Sequence, residues 1–119
     1  MKAGSKLRSD ALSIFQAGIQ AANPVDAVER HLRFHGDRIS VGQTSYPLDS
    51  FKRVWIVGMG KASAVMAKPL MEGLGDRISG GIINVKHGYR YPLTAVRVVE
   101  AGHPLPDEAG LRGTRDMIQ

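Results

Sequence analysis

Cysteine is absent from the sequence, and long apolar runs are absent as well. Without cysteine, disulfide bonds and thiolate metal sites are excluded, and the composition fits a reducing compartment. The longest apolar stretches, such as those within residues 80–84 and 95–99, are far shorter than the roughly 20 residues that cross a bilayer. The N-terminal segment is basic but lacks a continuous apolar region, so it does not resemble a secretory signal. We therefore expect a cytoplasmic protein that has no membrane partner.

Aromatic residues and blocks of one charge sign are also scarce. Phe, Trp and Tyr together make up 6% of the chain, which gives little support for a surface that stacks on nucleic-acid bases. The formal net charge is +5, but the basic residues are scattered and stand beside acidic ones. We therefore expect no nucleic-acid partner, and a small anionic ligand accounts equally well for the positive excess.

The first part of the chain predicts two helices, which we place within residues 5–35. From Leu7 onward, apolar residues recur at helical spacing and form one stripe that we expect to be buried. The second helix has Asn23 as its N-cap and Pro24 at its first position, and Gly36 is its predicted end. Short β-type segments around Gly42 predict a small hairpin within residues 38–48.

A strand, a glycine turn and a helix follow within residues 53–70, which is the pattern of a βα unit. Pro69 predicts a kink or an early end of that helix near Lys68. A second strand is predicted at residues 81–85 and a third within residues 95–102, and the segment between them is too short for a usual helical crossover. The predicted fold class is α/β, with a Rossmann-like, mostly parallel sheet flanked by helices.

A last helix is predicted after Pro106, opened by acidic residues and with Leu111, Thr114 and Ile118 on one face. Neither a capping glycine nor a basic last turn follows it before Gln119. This pattern predicts that the sequence is the front part of a longer protein.

The glycine turn after the first buried strand is the first candidate site. Gly58 and Gly60 allow the backbone to approach a ligand closely, and Lys61 adds a full positive charge beside the predicted helix N-terminus. The turn is not a Walker A loop, and Ser63 stands where a dinucleotide fingerprint requires its third glycine. These residues therefore predict either a phosphate site or a tight turn with a solvated lysine.

Two more strand ends carry polar side chains that are candidates for the same site. Lys86 ends the second strand, and His103 and Asp107 follow the third. Because ligands bind outside the carboxyl ends of strands in open α/β sheets, we expect Lys61, Lys86 and His103 to converge on one basic crevice. Such a crevice would suit a phosphate or a carboxylate. Asp107 could equally be an acidic residue that opens the last helix. The alternative for His103 is a rigid loop with an exposed histidine.

No metal site is predicted from residue spacing. His31 and His35 are four residues apart on the second predicted helix, but neither an intervening Glu nor a third ligand accompanies them. A solvated helix face is the better interpretation of this pair.

Four segments together resemble the N-terminal domain of the class II glycerate 2-kinases, in which a DUF4147 domain precedes a MOFRL domain: ALSIFQAGIQAANPVDAVERHL, VWIVGMGKASAVMA, LGDRISGGIINVKHGY and VVEAGHPLPDEAG. The resemblance implies that residues 1–119 are a partial DUF4147 domain and that the C-terminal MOFRL domain is absent from the sequence. It implies ATP-dependent phosphorylation of D-glycerate to 2-phosphoglycerate with a divalent metal, normally Mg²⁺. It further implies that this fragment alone is inactive.

The resemblance also assigns residues to the site. The motif lysine of the family falls on Lys61, whose charge suits a transferring phosphoryl group. The strand-end lysine falls on Lys86, and the His-Pro-x-Pro-Asp loop places His103 and Asp107 in the glycerate and phosphate crevice. Residues 86–89 read Lys-His-Gly-Tyr, where many relatives read Lys-Tyr-Gly-His.

Two other functions remain open from the sequence. The strand, glycine turn and helix also suit an NAD(P)-binding module of a hydroxypyruvate reductase, a name given to some members of the resembled family. A non-catalytic anion-binding or assembly domain is the third hypothesis. The sequence does not decide between a monomer and a homo-oligomer.

Overall fold

The structure is a computed structural model that describes residues 2–119. This part of the chain contains eleven principal helices and strands. Their order along the chain is α1 (Lys2–Ala21), α2 (Pro24–His31), β1 (Leu32–His35), β2 (Arg38–Val41), β3 (Thr44–Pro47), β4 (Val54–Met59), α3 (Ser63–Met66), α4 (Lys68–Leu74), β5 (Ile78–Lys86), β6 (Arg97–Ala101) and α5 (Glu108–Ile118).

The central sheet is parallel, with strand order β4-β5-β6. Its register pairs Val57 with Ile82, and Ile83 with Val98. Residues 87–96 join β5 to β6 without a helix, as the short connection predicted. This sheet with its flanking helices confirms the α/β class.

The helices α3 and α5 cover opposite faces of the parallel sheet. A Cβ added at Gly58 would lie 3.2 Å from both Ile83 and Ser63, so Ile83 faces α3. The next residue, Asn84, donates a hydrogen bond to the carbonyl oxygen of Gly110 on α5. Because successive side chains of a strand point to opposite faces, the two contacts place the two helices on different sides.

The hydrophobic core lies on the α3 and α4 side of the sheet. Within β5, Ile83 and Val85 are almost completely buried there, and each fully buried aliphatic side chain contributes about 1.5–3 kcal/mol to folding. On the α5 side, β4 is less well covered, since Trp55, Val57 and Met59 are each more than half exposed. The buried core consists of Leu48, Ile56, Ala64, Ala67, Leu74, Ile78, Ile83, Val85, Val96 and Val98.

The second helix ends earlier than the sequence predicts. It stops at His31, and residues 32–35 form β1, which pairs antiparallel with β2. Phe34 and Ile39 of this small sheet pack against the hydrophobic core, so tertiary packing outweighs the local helical pattern. The predicted hairpin is confirmed as β2–β3, extended by β1.

The prediction that the apolar stripe of α1 would be buried is wrong for the described chain. The helix forms as expected, but Leu7, Ile14, Phe15 and Ile19 remain 58–74% exposed. Helical periodicity shows which face is apolar, and it does not show what covers that face.

The helical break at Pro69 is confirmed. The helix α3 ends at Met66 and α4 begins at Lys68, with Pro69 in the first turn of the new helix, where its missing N–H costs no hydrogen bond. None of the helices within residues 2–119 is both long and apolar enough to cross a membrane.

Candidate anion-binding crevice

The carboxyl ends of β4, β5 and β6 open on one crevice of about 490 Å³. It brings together most of the residues that the sequence proposes for a site: Gly60, Lys61, Lys86, His103 and Asp107. Gly58 is not among the lining residues, and it instead allows close packing of α3 on the sheet, as described above. The parallel order of three neighbouring strands is therefore what assembles the crevice.

The turn after β4 depends on Gly60. Its φ of 103° is one that residues with a side chain rarely adopt, and its N–H donates a 3.0 Å hydrogen bond to the carbonyl oxygen of Asn84. The hydroxyl of Ser63 donates to the carbonyl oxygen of Gly60 at 2.6 Å. These bonds fix the backbone from which Lys61 projects.

Lys61 is exposed at the rim of the crevice and belongs to none of the ion pairs found within residues 2–119. The helix that follows it differs from the expectation, because α3 has only four residues. Few peptide dipoles are therefore aligned behind this turn, so the charge of the lysine itself is the main attraction for an anion.

Lys86 lies half-buried at the end of β5. Its Nζ lies 5.3 Å from the ring centroid of Tyr89, which is within the range of a cation–π contact. The turn between these residues is held by the N–H of Gly88, which donates to the carboxylate of Glu100 at 2.7 Å. The turn thus places the aromatic ring of Tyr89 near the ammonium group of Lys86.

Asp107 organises the end of the loop that follows β6. It is the N-cap of α5, where its carboxylate accepts the N–H of Gly110 at 2.9 Å, and it lies 3.4 Å from the Nε2 of His87. Backbone hydrogen bonds from Gly102 and Gly110, followed by the contact with His87, hold the pKa of Asp107 below its usual range. The carboxylate is thus engaged by the protein and positions the loop, while His103 on the same loop is exposed to the crevice.

Asn84 is a crevice residue that the sequence reasoning did not select. It lies two residues before the carboxyl end of β5, lines the crevice and accepts a hydrogen bond from the Gly60 turn. The signal that identifies it is a polar residue in a strand that is otherwise rich in apolar residues and glycine.

The residues that line the crevice carry more positive than negative charge, with Lys61 and Lys86 against Asp107. Within residues 2–119, no three His, Asp or Glu side chains are grouped so that they could hold a metal. Asp107 is the one acidic residue that lines the crevice in the described chain, and its oxygens already accept hydrogen bonds. The crevice thus offers a divalent cation a single carboxylate, whereas Mg²⁺ is usually bound through one or two carboxylates together with substrate phosphates.

The sequence is similar to known proteins along nearly its whole length. Residues 10–119 match the family described as "Domain of unknown function (DUF4147)". The chain is 30% identical over 112 residues to the glycerate 2-kinase of Pyrococcus horikoshii, and 32% identical over 114 residues to the D-glycerate 2-kinase of Thermotoga maritima. These alignments cover 94% and 95% of this chain but 24% of each relative, so the chain spans about a quarter of their length.

Solved structures share the fold as well. A crystal structure of a Pyrococcus horikoshii protein superposes with a TM-score of 0.78 at 30% identity, over 92% of this chain and 24% of that one. The crystal structure of the glycerate kinase of Thermotoga maritima superposes with a TM-score of 0.68 at 29% identity, over 94% of this chain and 24% of that one.

Proposed function

Because the chain belongs to the DUF4147 family and its relatives include glycerate kinases, we propose that it forms the N-terminal lobe of an ATP-dependent D-glycerate 2-kinase. The proposed reaction transfers the γ-phosphoryl group of ATP to the 2-hydroxyl of D-glycerate. The observation that carries the proposal is the convergence of Lys61, Lys86 and His103 on one crevice. Since the chain spans 24% of these relatives, the proposed activity requires further residues, those of a MOFRL domain included. We also propose that the protein acts in the cytoplasm, which suits a reaction between ATP and glycerate.

The chemistry of phosphoryl transfer supports a role for Lys61. The transferring group spreads negative charge over three equatorial oxygens, so catalysis depends on positioned cations and N–H donors. Lys61 projects from a turn that hydrogen bonds hold in place, and no carboxylate of the described chain neutralises it. We assign Lys61 to the transferring phosphoryl group, and Lys86 and His103 to the carboxylate of glycerate. A divalent metal would be held by the phosphates and by residues beyond those described.

The reductase alternative is less well supported by the geometry. A dinucleotide-binding fold carries an acidic residue at the end of its second strand, where it binds the ribose hydroxyls. In this chain the second parallel strand, β5, ends at Lys86, whose charge is of the opposite sign. The third glycine of the fingerprint is also replaced by Ser63.

The test is an assay of the intact polypeptide in which this sequence occurs in the cell. It is incubated with ATP, Mg²⁺ and D-glycerate, and the product is supplied to enolase, which consumes 2-phosphoglycerate and does not consume 3-phosphoglycerate. We expect enolase-dependent turnover with D-glycerate and little with L-glycerate. Oxidation of NADH with hydroxypyruvate, without phosphorylation of glycerate, would support the reductase instead. Phosphate binding without either reaction would support a non-catalytic anion-binding domain.

A further inference from the structure

Asn84 contacts both walls of the crevice. Its backbone carbonyl oxygen accepts the N–H of Gly60 at 3.0 Å, which holds the turn that carries Lys61. Its side-chain Nδ2 donates to the carbonyl oxygen of Gly110 at 3.1 Å and lies 3.3 Å from the hydroxyl of Thr114, both on α5. One residue near the carboxyl end of β5 is therefore hydrogen-bonded to the turn after β4 and to α5.

The remaining polar atom of this side chain has no partner within the part of the chain that the structure describes. The Oδ1 atom of Asn84 is buried and accepts no hydrogen bond from the described residues. Burying an unpaired carbonyl oxygen disfavours folding, so an apolar side chain would be the more stable choice if the position served only to pack α5 on the sheet. The use of asparagine here requires an explanation other than stability.

The facing residue on α5 is adapted to this side chain. A Cβ added at Gly113 would lie 2.0 Å from Oδ1 of Asn84, so any larger residue would displace the Asn84 side chain or push α5 away from β5. Gly113 is buried, and the helix therefore lies as close to the strand as the asparagine allows. The distance between α5 and the sheet is set by this pair.

We propose that Asn84 is a positioning residue of the crevice, which fixes the Lys61 turn relative to the start of α5, where Asp107 caps the helix. The side-chain amide of Asn84 holds α5, and its backbone carbonyl holds the turn. The positions of the two walls are therefore fixed relative to the same residue. The proposal rests on the proposed function in taking phosphate as the ligand, but the geometry it describes can be measured without any ligand.

Two readouts separate positioning from stability. The first is the affinity for inorganic phosphate, measured by calorimetry at a temperature where every variant is folded. The second is the distance between spin labels on α3 and α5, at Met66→Cys and Arg112→Cys of the intact polypeptide, with any cysteine outside residues 1–119 replaced by serine; residues 1–119 contain none. Both label positions are exposed and neither lines the crevice.

Asn84→Ala is expected to weaken phosphate binding about tenfold, by analogy with the lower end of the loss in metal affinity when a hydrogen-bond partner of a metal ligand is removed. The distribution of distances between the two spin labels is expected to broaden. Thr114→Val, which leaves β5 untouched, should shift both readouts in the same direction by a smaller amount. Ser79→Ala, at the other end of β5, is the matched control and should change neither.

The double variant Asn84→Ala/Gly113→Ala shows whether Asn84 positions the crevice or only contributes to stability. Gly113→Ala alone should unfold at a lower temperature because of the contact with Oδ1, and adding Asn84→Ala should restore the midpoint. Phosphate affinity should stay low in the double variant. The proposal would be overturned if the double variant recovered both the wild-type phosphate affinity and a narrow distribution of label distances. It would also be overturned if Asn84→Ala alone kept wild-type values of both quantities. If the wild type binds no phosphate, the proposed function fails, and the label distances alone decide the positioning role.

Discussion

The imidazole Nε2 of His87 and a carboxylate oxygen of Asp107 lie 3.4 Å apart, which joins the end of β5 to the start of α5. The same carboxylate caps α5 through the N–H of Gly110 and also receives a backbone hydrogen bond from Gly102. One exposed carboxylate therefore ties together three segments that border the crevice. Asp107 shapes the site chiefly by holding these segments in place.

Asp107→Asn tests this role through the pH dependence of stability. The folded-state pKa of Asp107 is lowered, so its carboxylate stabilises the fold above the unfolded-state pKa of about 3.9, and this contribution is lost as the pH falls through the folded-state value. We expect the variant to unfold at a lower temperature than the wild type at pH 7 and at a similar temperature near pH 2. Thermal unfolding followed by circular dichroism measures both.

The control for this prediction is Asp10→Asn, which removes an exposed carboxylate on α1. We expect its unfolding temperature to follow the wild type at every pH. A constant difference between Asp107→Asn and the wild type across the whole pH range would show that the carboxylate charge does not contribute.

Lys61→Ala should weaken the binding of phosphate or ATP without changing stability. A charge-assisted hydrogen bond is worth about 1.5–3 kcal/mol, which corresponds to a loss of affinity of about 10- to 150-fold. Lys52→Ala is the matched control, because Lys52 is exposed and lies outside the crevice. Calorimetric titration with ATP gives the affinity, and equal affinities for the two variants would remove Lys61 from the site.

Gly60→Ala should destabilise the protein through its backbone alone. No heavy atom beyond the neighbouring residues lies within 4 Å of an added Cβ, so the cost is the strain of φ at 103°, about 1–3 kcal/mol. Gly110→Ala is the control, since its added Cβ makes only ordinary contacts and alanine favours a helix. Urea unfolding measures both, and an unchanged free energy in Gly60→Ala would mean that the turn relaxes without strain.

The fold was largely predictable because its signals are local. The βα unit, the break at Pro69 and the unusually short link between two parallel strands each follow from a few neighbouring residues. The strand at residues 32–35 was not predictable in this way, because Phe34 gains its stability by packing against a core that is distant in sequence. Local sequence patterns do not show when packing against a distant core outweighs a helical pattern.

The main residues that line the crevice were predictable from the sequence, but the contacts between them were not. Glycines and cations at strand ends identify Gly60, Lys61 and Lys86, because parallel strands bring those ends together. The engagement of Asp107 by His87 and by the backbone, like the position of Asn84 between two walls, depends on which loops meet in three dimensions. Sequence spacing does not determine those distances.

The exposed stripe of α1 yields the last prediction, a contrast between two apolar substitutions. Phe15 on α1 is 64% exposed, whereas Ile83 in β5 is 1% exposed. Phe15→Ser should therefore change the free energy of unfolding by no more than about 0.5 kcal/mol, as expected of a surface position. Ile83→Ala removes buried methyl groups and leaves a cavity, so it should cost about 2–5 kcal/mol. Urea unfolding of both variants decides the matter, and a comparably large loss in Phe15→Ser would show that the apolar face of α1 is covered in the folded protein.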